Sequence, residues 1–262
     1  MIEKNCSVYK NDRKIEIEIT DRDVILPNRL KKCIENNWEE CVKNNPSLFN
    51  GLVFSIDEFN IYDKTINIKL AKSNYAHYTY MLNHKNNCEI LCKMIAVGGL
   101  IKTKDNMFLL GKMSQKTSFP GIVQCIGGGV SKDDFMDNRL NMISTLQREI
   151  YEETGIIIRA KFFKHSSNYI IVRGDMELFG ICYLIEIPLY SFQLNNCFLK
   201  YKKGNMYDGE LDDLVFVENS PKAIIHFLSR PYEFVDYLGQ LLFDAAEISP
   251  LPNIWEGNNR EI

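Results

Sequence analysis

The sequence lacks the marks of several large protein classes. No stretch approaches the roughly 18 consecutive apolar residues of a membrane-spanning helix, and the N-terminal segment lacks the basic and then apolar layout of a signal peptide. Basic residues are not in excess either, since 31 Lys and Arg stand against 34 Asp and Glu, a net charge of -3. A protein held by nucleic-acid backbones needs a basic surface. We therefore expect a soluble, cytoplasmic protein with no membrane partner and no stable nucleic-acid partner.

The eight cysteines do not form a recognisable framework. No Cys-x-x-Cys pair occurs, and the closest two, Cys88 and Cys92, lack a second ligand pair at zinc spacing. A chain of 262 residues is also long enough to bury a sizeable core without disulfides. We expect reduced thiols that act mostly as small core residues.

Hydrophobic periodicity predicts strands that alternate with helices. The predicted strands cover residues 14–19, 48–56, 65–71, 94–103, 107–112, 123–130, 155–163, 168–174, 178–187 and 214–218. The predicted helices cover residues 28–45, 137–153, 221–229 and 231–247. This alternation favours an α/β fold, a mixed α/β sandwich. The sequence becomes more apolar near Cys92. This change predicts two domains: a small α+β module over residues 1–92 and a main domain over residues 93–262.

One predicted helix concentrates carboxylates at helical spacing. Glu149, Glu152 and Glu153 stand at i, i+3 and i+4, so they project from nearly one face within a single turn. Mg²⁺ prefers carboxylate oxygens and fills its other positions with water and substrate phosphates. Arg148 lies one turn before Glu152 and can orient it. The alternative is an acidic, solvated helix end, but the glycines 127–129 precede this helix, where a loop backbone can approach phosphates closely.

The segment from Arg148 to Ile156 resembles the second half of the Nudix hydrolase box. That box reads Gly, five residues, Glu, seven residues, Arg-Glu-hydrophobic-any-Glu-Glu-any-Gly-hydrophobic, and residues 148–156 match every specified position of the second half. The first half departs, because Leu140 stands where the family has Glu and Asp134 where it has Gly.

A longer loop would account for this departure. If Gly128 or Gly129 is the box glycine, the loop before Arg148 carries six or five additional residues. The first box Glu then has no direct counterpart. Three acidic residues of the loop could supply a carboxylate in its place, namely Asp133, Asp134 and Asp137.

A second resemblance covers roughly residues 46–155. The order of segments is similar to the Nudix branch that cleaves UDP-glucose and UDP-galactose, with an N-terminal module, a Phe-Pro-Gly segment at 119–121 and a lengthened loop before Arg148. The resemblance implies a Nudix α/β/α sandwich with a mixed sheet. It also implies Mg²⁺-dependent attack of water on a pyrophosphate, with Mn²⁺ as a substitute ion. The products would be a nucleoside monophosphate and a phosphorylated group.

The resemblance also implies roles for individual acids. Glu152 and Glu153 would be metal ligands, Glu149 a third ligand or the base that activates water, and Arg148 their orienting partner. Family members often use another acid from a loop beyond the box. Glu210 is the first candidate and Glu177 the second, and for both the alternative is an ordinary solvated acid.

A nucleotide substrate also needs surfaces for its base and phosphates. The candidates for base stacking are Tyr75, Tyr78 and Tyr80. The candidates for phosphate contact are Lys112, Lys116, Arg173 and the glycines Gly128 and Gly129. The tyrosines could instead pack between the two domains, and Lys112 could be a solvated lysine.

Two other functions stay open at this point. The same box could serve an ADP-ribose, nucleoside triphosphate or RNA-cap hydrolase, although the acidic balance weighs against capped RNA. The second alternative is a nucleotide-sensing module with a weakened box, because the Glu of the first half of the box is missing. In each case the partner is a small nucleotide, and the chain could be a monomer or a homodimer.

Overall fold

The computed structural model describes residues 6–84, 88–163, 168–174, 177–207, 209–230 and 233–249. The strands in this part of the chain are β1 (Cys6–Asn11), β2 (Lys14–Asp23), β3 (Leu52–Ile61), β4 (Thr65–Asn74), β5 (Met94–Lys102), β6 (Met107–Met113), β7 (Val123–Gln124), β8 (Ile126–Gly129), β9 (Phe135–Met136), β10 (Arg139–Leu140), β11 (Asn168–Arg173), β12 (Leu178–Glu186) and β13 (Leu211–Glu218). The helices are α1 (Asn28–Asn44), α2 (Tyr75–Asn83), α3 (Met142–Thr154), α4 (Ser191–Tyr201), α5 (Pro221–Leu228) and α6 (Leu238–Ala245).

All of these strands belong to one mixed sheet. At its centre β5 runs parallel to β12, with Met94 opposite Leu178 and Lys102 opposite Glu186. β12 continues antiparallel to β11, and β11 to β1. β5 also pairs antiparallel with β8, so that Gly98 lies opposite Gly127. The predicted mixed α/β sheet is confirmed.

Helices cover both faces of the sheet. Successive residues of a strand point to opposite faces, and they enter two different cores: Ile170 belongs to one, while Tyr169 and Ile171 belong to the other. The first core takes apolar side chains from α3 and α4, and the second takes them from α5 and α6. The architecture is therefore a three-layer α/β/α sandwich.

The N-terminal strands extend the same sheet. β3 and β4 form an antiparallel hairpin, β2 runs parallel to β4, and β3 reaches β5 through the bridge between Ser55 and Met94. The sheet thus continues past Cys92, and the domain boundary stays a prediction. α1 packs on α2 through a small core that includes Leu30 and Ile34. No helix in the described ranges combines the length and the apolar character that a bilayer crossing requires.

Several sequence-based boundaries are wrong, each for a local reason. The predicted helix at 137–153 begins only at Met142, because Asp137 and Asn138 have φ of 48° and 63° and form the turn between β9 and β10. The predicted strand at 155–163 is irregular and ends in the 3-10 helix Ala160–Phe163. The predicted strand at 48–56 begins only at Leu52 and continues to Ile61.

The C-terminal half contains two further differences. The sequence pattern does not predict α4, although Leu194 and Phe198 stand one turn apart on it and are buried. α6 is shorter than the predicted helix at 231–247, since residues 233–237 are not helical, and Pro231 lies outside the described residues. Helix α5 is confirmed and begins at Pro221, which suits a first helical turn.

Candidate active site

Helix α3 carries the predicted acidic residues and is fixed firmly against the sheet. The Asn141 side chain caps its start by accepting a hydrogen bond from the Ser144 backbone N–H. Leu146 and Ile150 are fully buried in the first core. Gly155 ends the helix in the left-handed region with φ of 70°. The helix backbone that carries Glu149, Glu152 and Glu153 is therefore held in a fixed position.

Arg148 holds three carboxylates at once. Its Nε donates to Asp134 Oδ1 at 3.0 Å and its Nη2 to Asp134 Oδ2 at 2.8 Å. Nη2 also lies 2.9 Å from Glu149 Oε1, and Nη1 lies 2.7 Å from Glu152 Oε2. These partners raise the pKa of Arg148, led by the hydrogen bond to Asp134. The predicted role of Arg148 as the orienting residue agrees with this geometry.

Asp134 is the loop acid that reaches the site. It is buried in the long loop before α3, and its Oδ2 also accepts a hydrogen bond from the Ser131 backbone N–H at 2.8 Å. Asp133 and Asp137, the other two candidates, are exposed. Of the three acids, Asp134 is thus the one whose carboxylate reaches Arg148 and accepts its hydrogen bonds.

Glu149 is buried beside the glycine strand β8. A Cβ atom added to Gly128 would lie 2.6 Å from Glu149 Oε2, so only glycine permits this approach without moving the carboxylate. Burial raises the pKa of Glu149 to about 7, against the lowering effect of Arg148, while Glu210 and Glu152 raise it further. Glu210 therefore lies close enough to Glu149 to act on its charge.

Glu153 and Glu152 have different surroundings. Glu153 is buried, and its Oε1 accepts a hydrogen bond from the Gly127 backbone N–H at 3.0 Å. Gly127 has a φ of 142°, and a Cβ there would lie 2.3 Å from the Val97 carbonyl oxygen, so the position requires glycine. The Glu152 side chain, by contrast, is 49% exposed. The three predicted ligands thus differ in their access to solvent, and their metal roles stay predictions.

A divalent cation fits the chemistry of this donor set. Mg²⁺ is commonly held by one or two carboxylates together with water and substrate phosphates, without an all-protein cage. Glu149 and Glu152 provide such a pair on either side of Arg148. Within the described ranges, no three His, Cys, Asp or Glu side chains form a ready-made metal cluster. The arrangement therefore suits an ion that substrate phosphates help to hold.

A cavity of about 770 Å³ opens next to β8. Its floor consists of small residues, which leave space above the sheet: Ala96, Gly98, Gly127, Gly128, Gly129 and Gly180. Five aromatic residues also line it, namely Tyr75, Tyr78, Phe119, Phe234 and Tyr237. Glu210 lines the same cavity and acts electrostatically on both Tyr75 and Glu149. The cavity is therefore continuous with the surroundings of the acidic helix.

The structure brings most of the predicted substrate residues together. Tyr75, Tyr78, Gly128, Gly129 and Arg173 line the cavity, and so does Glu210, the predicted further acid. Lys112, Lys116, Tyr80 and Glu177 are not among its described lining residues. Lys112 lies on β6 opposite Asp213, and Tyr80 stacks on His84. The predicted stacking role of Tyr80 and phosphate role of Lys112 therefore have no support from their positions.

Sequence reasoning missed one charged residue of the cavity. Asp236 lies in the segment before α6 and pairs with Arg173 through two contacts, Nε to Oδ2 at 3.1 Å and Nη2 to Oδ1 at 2.6 Å. No motif surrounds Asp236, and the pattern around it predicts helix, so only the fold could reveal it. The predicted phosphate contact of Arg173 competes with this ion pair.

No protein-family model and no curated protein sequence matches the chain. Solved structures align with part of it. A bifunctional NMN adenylyltransferase/ADP ribose pyrophosphatase of Francisella tularensis, in complex with AMP and a Mn ion, is 14% identical, with 66% of this chain and 48% of that chain covered and a TM-score of 0.44. The chain thus spans about half of that protein.

Two further structures align with a similar share of the chain. A MutT protein of Methanosarcina mazei Go1 is 17% identical, with 59% of this chain and 93% of that chain covered and a TM-score of 0.38. The NUDIX domain of Shewanella oneidensis NrtR, in complex with ADP ribose, is 14% identical, with 63% and 96% covered and a TM-score of 0.38.

Proposed function

We propose that the chain is a Mg²⁺-dependent pyrophosphatase of the Nudix type. The observation that carries this proposal is the unit formed by Arg148 and its carboxylates, set beside a glycine strand at one end of a large cavity. The segment 148–156 that resembles the Nudix box builds this unit. The contacts of Asp134 with Arg148 weigh against the sensor alternative, because Asp134 lies where the first half of the box departs from the family.

Each acidic residue of the site, and Arg148, has a separate role in this proposal. Glu152 and Glu149 would hold the cation, which would supply positive charge to pyrophosphate oxygens and make a bound water more acidic. Glu149 is alternatively the base that takes a proton from the attacking water. Arg148 keeps both carboxylates in fixed directions, and Asp134 fixes Arg148 in turn. Glu210, which lines the cavity and acts on the charge of Glu149, is a further acid for the same reaction.

The substrate in this proposal is a nucleoside diphosphate linked to another group. A nucleotide sugar such as UDP-glucose is the first candidate, because the sequence resembles that branch of the family. A cavity of about 770 Å³ falls in the usual size range of small-molecule sites. The aromatic residues that line it suit a base, and Gly128 and Gly129, which lack side chains, leave room for phosphates to approach β8. ADP-ribose and nucleoside triphosphates are the alternatives with the same reacting bond.

Segment 1–92 is part of the site in this proposal. Tyr75 and Tyr78 lie at the start of α2 and form one wall of the cavity. The Tyr75 hydroxyl also shares a hydrogen bond of 2.7 Å with Ser118 Oγ, which ties α2 to the rim of the cavity. We propose that the N-terminal module and the main domain complete one substrate site between them.

Product analysis across a substrate panel tests the proposal. UDP-glucose, ADP-ribose, a nucleoside triphosphate and capped RNA are each incubated with the protein, with Mg²⁺, with Mn²⁺ and with a chelator. We expect a nucleoside monophosphate and a phosphorylated partner from UDP-glucose, and no products with the chelator. Cleavage of ADP-ribose alone would reassign the substrate. A lack of turnover with all four would favour the sensor.

A further inference from the structure

The Arg173–Asp236 pair is a partly buried ion pair in the lining of the cavity. Both residues line it, and their side chains are only 22% and 26% exposed. The two contacts of 3.1 and 2.6 Å form a side-on, bidentate ion pair. Such a pair holds both groups in one plane. The cavity therefore presents a fixed donor next to a fixed acceptor.

The pair stands away from the catalytic end of the cavity. Arg173 lies opposite Leu178, and Leu178 lies opposite Met94, while Gly129 lies opposite Ala96 on the same central strand. Three strand spacings therefore separate Gly129 from Arg173, which is about 14 Å at the usual distance between strands. A ligand that spans both ends has its charged phosphates at one and a different group at the other.

The surroundings of the pair suit a flat, largely apolar group. Tyr78, Phe234 and Tyr237 line the cavity together with Arg173 and Asp236. Tyr78 is buried, and its pKa is raised by burial and lowered by the neighbouring charge of Arg173. Aromatic side chains favour stacking on a planar ring. A sugar, with hydroxyls on all sides, would need more polar partners than these walls provide.

We propose that Arg173 and Asp236 recognise the hydrogen-bonding edge of the substrate's nucleobase. Asp236 accepts a hydrogen bond from a base N–H, and Arg173 donates one to the adjacent base carbonyl or ring nitrogen. The ion pair uses two of the five N–H groups of the guanidinium, and a carboxylate can accept about four hydrogen bonds. This inference rests on the proposed function, which places the diphosphate at the glycine end.

Calorimetric titration without Mg²⁺ tests the inference apart from hydrolysis. The ligands are UMP, AMP and ribose 5-phosphate, which share a phosphate and differ in the base. We expect at least one nucleotide to bind about tenfold or more tightly than ribose 5-phosphate, since a hydrogen bond to a charged group contributes that much. Asp236→Asn should remove this advantage and leave the binding of ribose 5-phosphate unchanged.

Two further measurements keep the test decisive. Glu186→Gln is the matched control, because it breaks the 2.9 Å pair with Lys102 outside the cavity and should alter no binding constant. If Asp236→Asn does not fold, saturation-transfer NMR on the wild-type protein replaces it, and the base protons of the bound nucleotide should receive more saturation than the ribose protons.

The outcomes separate this inference from the proposed function. Equal binding of UMP, AMP and ribose 5-phosphate would overturn it even if pyrophosphates are hydrolysed. Equal weakening of all three ligands by Asp236→Asn would also overturn it, as would stronger saturation of the ribose. If no pyrophosphate is hydrolysed but binding depends on the base and on Asp236, the base site stands and the enzymatic proposal fails.

Discussion

The carboxylate of Asp134 receives two hydrogen bonds from the guanidinium of Arg148, fourteen residues further along the chain. Asp134 comes from the lengthened loop and Arg148 from helix α3, so the pair joins the loop to the acidic helix. Arg148, held in place by Asp134, in turn orients Glu149 and Glu152, which it contacts at 2.9 and 2.7 Å. The loop that interrupts the Nudix-like pattern thus supports the part of the pattern that is intact.

Asp134→Asn tests this support. The change leaves the shape of the side chain but removes the charge that faces Arg148. We expect the free energy of unfolding to fall by about 1–3 kcal/mol, because a partly buried guanidinium loses its main partner. Turnover should fall as well, since Glu149 and Glu152 lose their fixed directions. Asp133→Asn, at the exposed neighbour, is the matched control and should change neither quantity. Equal effects of the two variants would contradict a supporting role.

Gly128→Ala tests the close approach of β8 to Glu149. The added methyl group would lie 2.6 Å from Glu149 Oε2, so the carboxylate must move, whereas Gly129 has nothing within 4 Å of the same position. We expect turnover to fall on the order of tenfold to a hundredfold, as for a misplaced reacting group. The free energy of unfolding should change by less than about 1 kcal/mol, because a side-chain end moves instead of the backbone. Gly129→Ala provides the comparison, and a larger loss of turnover there would exclude this explanation.

The sequence predicts the acidic helix and much of the sheet because their signals are local. The spacing of Glu149, Glu152 and Glu153 defines one helix face, and the run 94–103 marks the central strand. Residues 155–163 are misassigned as a strand because Ile156 and Ile158 are apolar, although they enter the core from an irregular segment. Periodicity cannot separate these two cases.

The remaining parts of the site depend on tertiary contacts. Asp134 is one of three loop acids, and only the path of the loop brings it to Arg148. Asp236 meets Arg173 across 63 residues of chain, and no local pattern encodes such a distance. Leu194 and Phe198, four residues apart, are the signal that could have identified α4. Residues that are close in the sequence thus predict the acidic residues of the site. Only the fold shows which distant residues contact them.

Glu152→Gln tests the metal-ligand assignment directly. The side chain is about half exposed, and its ion pair with Arg148 is therefore worth at most about 1 kcal/mol. The variant should fold with nearly unchanged stability, while measurable Mg²⁺-dependent turnover is lost. The measurements are thermal unfolding and product formation at several Mg²⁺ concentrations. Glu218→Gln, an exposed glutamate on β13, is the control. If Glu152→Gln keeps the same Mg²⁺-dependent activity as Glu218→Gln, Glu152 is not a metal ligand.

His77 gives a pH dependence that does not involve the acidic helix. It is fully buried, with Nε2 at 2.8 Å from the Ile90 carbonyl oxygen and Nδ1 at 2.9 Å from Ser73 Oγ. The carbonyl can only accept, so Nε2 carries the proton and Nδ1 accepts from the serine hydroxyl. Burial lowers the pKa of His77 below its usual value of 6.5, against the raising effect of the Ile90 hydrogen bond. The native environment thus favours the neutral form of His77.

The sign of the stability change follows from this shift. Between the lowered native pKa and the usual value of 6.5, the unfolded chain binds more proton at His77 than the native protein does. The free energy of unfolding should therefore be highest above pH 6.5 and fall below it, by up to about 1.4 kcal/mol for each pH unit between the two pKa values. Denaturant unfolding at pH 8.0 and 5.5 measures the loss in the wild type, in His77→Gln and in His226→Gln, an exposed histidine. His77→Gln should be less stable than the wild type at pH 8.0 but lose less between the two values, whereas His226→Gln should lose as much as the wild type. If His77→Gln loses as much stability as the wild type, His77 does not carry this dependence.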